Sequence, residues 1–402
     1  MFFRIALCLI IFVSSSLSSI AQKSDPQTNF RSRNLQALSI QDAISQATSD
    51  IKGLIEENSA LAAKFLRLGF HDCVGGCDGC VDLNNGDNAG LDVPIVALEP
   101  VYTNSDYKAA GLTRADIYVL SAITGSNVAN PNSDDFFSMN YYGRTSCEDA
   151  KMPCLDKDGN DNGCTPTRGP HRDLPSPDLD TDTLLDYFND VFDCSDQETV
   201  ALLGAHTIGG VSRGNSGFDS ERGWTDHNEI LNNEYYVEMV GPAGDLFDGP
   251  NWTLKKVDNS DEPNIPDRYQ WEKSKHNFNG PIIMMNSDMA LVRTFGDCKN
   301  AVTGEVTCSF KKKNPCPAAS TLPQAGLYKN DNDLWLKYFK AVLEKMLLAG
   351  YIVESECSDI TCVRPVNDSS LPSASKPRRW YHSLARNTYF NIMPVARFFD
   401  LV

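Results

Sequence analysis

Arg67, Phe70 and His71 put a fixed cation, an aromatic ring and a titratable imidazole within five residues of one another. They follow the apolar run Ala60-Leu61-Ala62-Ala63-Lys64-Phe65-Leu66, made of good helix formers with no breaker before Gly69. On a helix, Arg67 and His71 are four apart and share one face, with Phe70 beside them. In a dry pocket the imidazole can move a proton, and the guanidinium can stabilise the negative charge that develops. The same pattern also suits a helix with a solvated Arg and a core His, so this motif alone does not decide.

Further along the chain, other residues carry comparable alternatives. Asn88, in Asp87-Asn88-Ala89-Gly90-Leu91, either caps the helix that follows or turns its side-chain carbonyl to an imidazole. His206 ends the apolar stretch Val200-Ala201-Leu202-Leu203-Gly204-Ala205 and precedes Thr207-Ile208-Gly209-Gly210. A His so placed presents its ring to a ligand or serves the core. Asp288 sits alone in the apolar segment 282–292, so it is predicted to be buried and to need a partner. Trp224 and Thr225 lie between these two. The loop Cys73-Val74-Gly75-Gly76-Cys77-Asp78-Gly79-Cys80 admits three readings. Asp72 and Asp78 with backbone carbonyls would suit a hard cation such as Ca²⁺. Cys73 and Cys77 would close a small disulfide loop. The cysteine spacing also matches the iron–sulfur pattern of radical enzymes that use S-adenosylmethionine, which needs reduced thiolates.

Helices are needed to position these groups, and the periodicity predicts them over 40–58, up to Asp72, from Asn88 to Val101, from Thr113, over 181–191 and 196–206, and over 331–351. Asp116 reads as a buried structural acid. No run of alternating strands and no internal repeat is evident. Residues 130–177 read as loop, stapled by Cys147, Cys154 and Cys164, and the acidic turn at 156–161 lacks the Gly placement and closing acid of a calcium loop.

The whole chain sets the context. Residues 1–21 read as a secretory signal peptide, 22–39 as an arm, 40–352 as the folded domain and 353–402 as a tail with a basic middle. Of thirteen cysteines, Cys8 lies in the leader, which leaves an even number for disulfides in an oxidising compartment. That setting argues against the iron–sulfur reading. Asn251-Trp252-Thr253 and Asn367-Asp368-Ser369 are glycosylation sequons. The net charge of -17 argues against nucleic acid or anionic lipid as a partner, and no later stretch is apolar and long enough to span a membrane. The expected setting is extracellular or a secretory lumen. Oligomeric state is not readable from these features.

Three motifs in order, Arg67-Leu68-Gly69-Phe70-His71-Asp72-Cys73, Asn88-Ala89-Gly90-Leu91 and Gly204-Ala205-His206-Thr207-Ile208-Gly209, resemble the plant-type haem peroxidase superfamily over 40–351. The loop and Trp224-Thr225 resemble its ascorbate peroxidase-like branch, whereas Phe70 and the cysteine-rich, secreted character resemble its secretory branches. The resemblance implies a mostly α, two-lobed, disulfide-stapled fold with b-type haem between the lobes. It casts His71 as distal acid–base, Arg67 as distal cation, Asn88 as the hydrogen-bond partner of His71, and Phe70 as a wall of the cofactor pocket. His206 becomes the proximal iron ligand, Asp288 its carboxylate partner, and Trp224 the proximal Trp of the ascorbate branch, as an electron carrier or simply a core residue. Asp72 and Asp78 match a distal cation site in which Cys80 replaces a Ser. Thr207 and Thr225 match a proximal one in which Asn232 replaces an Asp, so a weak proximal cation or none is expected.

The donor site departs from the ascorbate pattern. An Arg of that branch falls in Asn215-Ser216-Gly217-Phe218, with Arg213 displaced, and a Lys falls near Ser59. Leu174-Pro175-Ser176-Pro177 resembles the Pro-containing stretch by the donor site of secretory enzymes. The expected activity is therefore secreted reduction of hydrogen peroxide with oxidation of a small phenolic or aromatic donor. The alternative is an extracellular haem-binding structural protein that has lost turnover, and a third reading is a disulfide-rich matrix module.

Overall fold

The computed structural model describes residues 38–130, 136–146, 173–220, 222–240, 252–258, 268–273, 280–300, 303–310, 314–353 and 361–365. The leader, the arm through residue 37, Cys147, Cys154, Cys164, Cys357, both sequon asparagines and the basic part of the tail lie outside them.

Helix α1 (Ile40–Glu57) buries Ala43, Ile44, Ala47, Ile51 and Ile55, the stripe its sequence predicts, and Ser39 caps it by accepting from Asp42 N–H. Helix α2 (Leu61–Cys73) is buried on nearly every side, as is α5 (Arg114–Ala129). These two pack closely against each other because small residues face across the contact. A Cβ on Gly69 would come within 2.6 Å of the Ala122 Cβ. Short helices α3 (Asp92–Tyr102) and α4 (Ser105–Ala110) complete this part of the molecule.

Two hydrophobic cores meet along the α2–α5 pair. One face of each helix, with Ala62, Phe65, Leu68, Ile117 and Leu120, joins α1 and α3 in the smaller core. The other face, with Ala63, Leu66, Phe70, Val119 and Ala122, belongs to the larger. That core is built from α6 (Thr181–Phe192), α7 (Asp196–Leu203), α9 (Glu234–Val240), α11 (Leu322–Asn330) and α12 (Asn332–Leu347). Short α8 (Arg213–Ser216) and α10 (Asn286–Met289) lie within connecting segments. The mostly helical, two-core architecture is that of the expected fold class.

Two small sheets accompany the helices of this mostly α fold, although no run of alternating strands is evident in the sequence. Strands β2 (Trp252–Lys256), β3 (Tyr269–Lys273) and β4 (Ile282–Met284) form an antiparallel sheet in that order. In the second, β6 (Thr361–Pro365) lies between β1 (Tyr141–Tyr142), to which it is parallel, and β5 (Tyr351–Val353), to which it is antiparallel. These strands have two to five residues, too few for a period of two to stand out, and β4 is buried at all three positions.

Asp116 is the buried structural acid expected. It closes a capping box with Thr113, accepts from Gly143 N–H at 3.0 Å, and pairs with buried Arg144 at 2.8 Å. Arg144 also donates to the Leu347 carbonyl at 2.9 Å, so one ion pair ties α5, β1 and the end of α12 together.

Cys73 is bonded to Cys77 and Cys308 to Cys316, while Cys80 and Cys362 also lie in disulfides. Cys194 and Cys298 are free thiols, so the even cysteine count of the mature chain does not translate into complete pairing. Cys194 is buried just beyond α6, and burial pushes its thiol up to about 12, which keeps it an inert core residue.

The tight α2–α5 contact predicts that Gly69→Ala destabilises the fold by about 1–3 kcal/mol, because the helices must separate to admit a methyl group. Chemical denaturation of the purified variant measures this, and wild-type stability would show that the contact yields without cost.

Candidate active site

On α2, Arg67 and His71 are 2% and 7% exposed and lie one turn apart. Arg67 is held in place by the loop that precedes α3. Its Nη1 donates to the Ala89 carbonyl at 2.9 Å and its Nη2 to the Asp87 carbonyl at 3.1 Å, while Nε–H reaches His71 Nε2 at 3.3 Å. The same loop carries Asn88. Asn88 Nδ2 donates to the Asp82 carbonyl at 2.8 Å, which leaves Oδ1 to accept from His71 Nδ1–H at 2.8 Å. The imidazole proton is thereby assigned to Nδ1, and Nε2 is the basic nitrogen. Asn88 is not a helix cap. It ends a 3-10 turn, Gly86–Asn88, and Leu91 occupies the N-cap of α3, so the imidazole-orienting reading is the one realised. Phe70 meets His71 edge-on at 5.8 Å and packs against Phe188 and Phe192 of α6.

The second His is reached through α7. A capping box of Ser195 and Glu198 starts that helix, and at Gly204 it tightens into a 3-10 turn, Gly204–Thr207. His206 is fully buried in this turn, and its Nδ1–H donates to Asp288 Oδ1 at 2.7 Å. Asp288 is also fully buried, as predicted. Its Oδ2 accepts from Met285 N–H at 2.8 Å, and its Oδ1 accepts a second hydrogen bond, from Tyr235 Oη at 2.7 Å. Trp224 stacks on His206, with ring centroids 4.3 Å apart and planes 6° from parallel.

Tyr235 is the site residue that sequence reasoning missed. It sits in a short apolar helix beside Tyr236 and reads there as core, and its partner lies 53 positions away. Burial, and then the charge and hydrogen bond of Asp288, push its phenol well above the usual range, so it remains a donor.

The two halves of the site adjoin one another. Phe70 and Leu66 share one continuous core with Ala205, Ile208, Trp224 and Met289. Gly90, next to the Asn88 loop, packs so tightly on Asn215, beyond His206, that a Cβ there would come within 2.6 Å of Asn215 Nδ2. Arg213 is occupied with the Asp258 carbonyl. Leu174 and the prolines of the 174–177 stretch are mostly buried, and the Pro177 carbonyl accepts from Ser287 N–H at 2.8 Å, beside Asp288. A separate cleft lined by Val119, Phe137, Tyr141 and Leu347 contains none of these groups.

The cysteine loop resolves as the small disulfide. Joining Cys73 to Cys77 removes the thiolates that an iron–sulfur cluster would need, which overturns that reading. Asp72 Oδ1 accepts from Gly79 N–H at 2.7 Å and Asp78 Oδ1 from Cys80 N–H at 3.1 Å. The proximal set also converges: Thr225 Oγ1 donates to the Thr207 carbonyl at 2.8 Å, and Thr207 Oγ1 to Asn232 Oδ1 at 3.1 Å. The oxygens gathered there are neutral. In a nearby trio, Asp226 and Glu238 form ion pairs with Arg222 and Lys273, and Glu234 is hydrogen-bonded to His227, so each acid already has a partner.

Comparison with known proteins decides what this geometry belongs to. A family model described as Peroxidase matches residues 47–303. The chain belongs to the peroxidase family. It is 26% identical over 223 residues to a putative heme-binding peroxidase of Yarrowia lipolytica, a match that covers 52% of this chain and 66% of that protein. It is 28% identical over 212 residues to cytosolic L-ascorbate peroxidase 1 of Oryza sativa subsp. indica, covering 50% of this chain and 73% of the relative. A mitochondrial cytochrome c peroxidase of Candida glabrata is 29% identical over 171 residues, with 42% of this chain and 38% of the relative covered. The family and these relatives identify a haem peroxidase oxidoreductase of the plant-type superfamily.

The peroxidase site fits the haem that the family implies. His206 commits Nδ1–H to a carboxylate, which fixes the tautomer whose lone pair is on Nε2, the form that ligates iron. The surroundings are apolar and buried, as a large planar hydrophobic group requires.

Removing the carboxylate behind His206 is expected to weaken haem binding by about 10–100-fold. Haem titration of Asp288→Ala followed by its Soret band measures this, and an unchanged affinity would assign the holding of haem to other groups.

Proposed function

We propose that this chain is a secreted haem peroxidase that reduces hydrogen peroxide to water and oxidises small phenolic or aromatic donors. The observation that carries the proposal is the fixed tautomer of His71, with a basic Nε2 one helical turn from the Arg67 guanidinium and on the same face. His206 would hold the haem, with Asp288 behind it and Phe70 lining the pocket. Bound there, haem supplies the iron that takes part in O–O cleavage and stores the two oxidising equivalents.

The protein's own groups do the rest. His71 Nε2 takes a proton from one peroxide oxygen and returns it to the other, so that the second leaves as water and not as hydroxide. Arg67 would stabilise the negative charge that grows on the departing oxygen, and its bonds to His71 and to the Ala89 and Asp87 carbonyls hold it in place before reaction, so little reorganisation is required. Two donor molecules each give up one electron and one proton, and a second water completes the balance. Asn88 keeps the proton on Nδ1, so Nε2 is the nitrogen that takes up and returns a proton in each cycle.

The donor reading rests on Asn215 standing where the ascorbate branch has Arg, and on Arg213 being engaged with Asp258. With Asn215 in that place and Arg213 engaged, an uncharged aromatic donor at the haem edge is preferred over an anionic one. The leader-like start and the cysteine usage support secretion. Some relatives are named for the cytosol, peroxisome or mitochondrion, so the secretory route would distinguish this chain from them. Asp72 and Asp78 are the proposed ligands of a distal Ca²⁺. With Asn232 supplying no charge, Thr207 and Thr225 would hold a proximal cation weakly or not at all.

Stopped-flow mixing of the haem-loaded protein with one equivalent of hydrogen peroxide is the decisive test. The ferric Soret band should convert rapidly, and His71→Ala should slow the conversion by about 10²–10⁴-fold. Arg67→Ala should slow it by about 10²–10³-fold. A Soret band that ignores peroxide would instead indicate haem binding without turnover. For secretion, expression of the full chain in a eukaryotic host should release protein whose N-terminus begins near residue 22. Retention in the cytosol with residues 1–21 intact would refute that part.

A further inference from the structure

We propose that Tyr235 is a positioning residue of the proximal site. Its hydroxyl shares the Asp288 carboxylate with His206 and so sets how strongly His206 can bind iron. The inference rests on the functional reading above, in which His206 is the iron ligand.

The geometry is asymmetric in a telling way. Three donors converge on Asp288: His206 Nδ1 and Tyr235 Oη, each 2.7 Å from Oδ1, and Met285 N, 2.8 Å from Oδ2. Trp224 is equally buried and lies parallel to the His206 ring, yet its Nε1–H is buried and finds no hydrogen-bond acceptor among the described residues. The Trp therefore contacts His206 through its face alone, whereas the Tyr acts on it through the carboxylate.

Two short bonds to one oxygen compete. Asp288, His206 and Tyr235 are all fully buried, so no solvent screens the competition. Charge that Oδ1 commits to the phenol is not available to polarise His206 Nδ1–H. The imidazole is then less anionic and donates less to the iron, which stabilises ferrous over ferric iron. Tyr235 should therefore hold the reduction potential higher than the Asp288–His206 pair alone would set it.

The hydroxyl is held in place by tertiary contacts. Just before α9, Asn233 N–H donates to Asn332 Oδ1 at 2.9 Å, and Asn233 Nδ2 donates to the carbonyls of Tyr328 and Lys329 at 2.9 and 2.8 Å. The ring also packs edge-on against Tyr236 at 5.2 Å. Tyr235→Phe thus removes one hydroxyl from a site whose walls are fixed by other contacts.

The test uses the haem-loaded full chain and two readouts that are independent of turnover: the ferric–ferrous midpoint potential, and the ferrous iron–His stretching frequency from resonance Raman. Tyr235→Phe should shift the potential to more negative values and raise the stretching frequency. A fluorinated tyrosine at 235, nearly the same size but a stronger hydrogen-bond donor, should move both in the opposite direction. Trp224→Phe should leave both near wild type. Opposite shifts from two near-isosteric changes are not expected of a residue that only fills space. The proposal fails if the potential ignores both changes at 235, or if Trp224→Phe is the variant that moves it. Absence of a His-ligated haem spectrum in the wild-type protein would instead overturn the functional reading itself. If Tyr235→Phe alone lost haem, the fluorinated variant and Trp224→Phe would still decide the matter.

Discussion

A carboxylate without solvent is the constraint around which the larger core is arranged. Asp288 is fully buried, and an unpaired charge there would cost several kcal/mol. Three separate segments each deliver a donor to it: the 3-10 turn with His206, the start of α9 with Tyr235, and the backbone at Met285. Each segment is fixed in turn. The capping box at Ser195 starts the helix that leads to His206, and Asn233 anchors α9 to α11 and to Asn332. The charge is thus satisfied only when the tertiary structure is complete, which couples cofactor geometry to correct folding.

On the other side, the corresponding device is an amide. Asn88 accepts from His71 while its own amide is spent on the Asp82 carbonyl, so it is oriented by a loop and not by a helix. That loop is short of regular structure but not short of constraints. The Cys73–Cys77 bond closes its start, Asp72 accepts from Gly79, and Arg67 clamps its far end through Ala89 and Asp87. Arg67 therefore serves two purposes: it is poised beside the imidazole, and it fastens the loop that orients that imidazole.

What could be read from the sequence divides along the same physical lines. The stripe of α1, the α2 pair Arg67 and His71, and the burial of Asp116 and Asp288 depend on local periodicity or on the cost of a lone acid in an apolar run, and both are local properties. In the sequence alone Asn88 is open between two roles, because the choice depends on where the Asp82 carbonyl lies. Tyr235 does not stand out in the sequence, because nothing near it in the chain distinguishes a hydroxyl aimed at a carboxylate from one aimed at a backbone carbonyl. Its neighbour Tyr236 does the latter, donating to Val200 at 2.6 Å. The short strands and the free state of Cys194 likewise follow from contacts between distant segments, to which cysteine counting and periodicity are blind.

On the proposed function, the two histidines give one ring opposite duties. Both donate from Nδ1 and keep Nε2 basic, but the acceptor differs: a neutral amide for His71 and an anionic carboxylate for His206. An amide fixes the tautomer without adding charge, so a proton taken up at Nε2 is still readily released, as a shuttle requires. A carboxylate fixes the same tautomer and also pushes electron density into the ring, as suits a permanent ligand of an electron-poor metal. Exchanging Asn88 for an acid would make His71 a stronger base that retains its proton, and exchanging Asp288 for an amide would leave His206 a weaker ligand. On this argument, the division of labour between the two sides lies less in the histidines than in the residues behind them. Tyr235, by occupying part of the carboxylate, sits at the point where the difference can be adjusted by degrees.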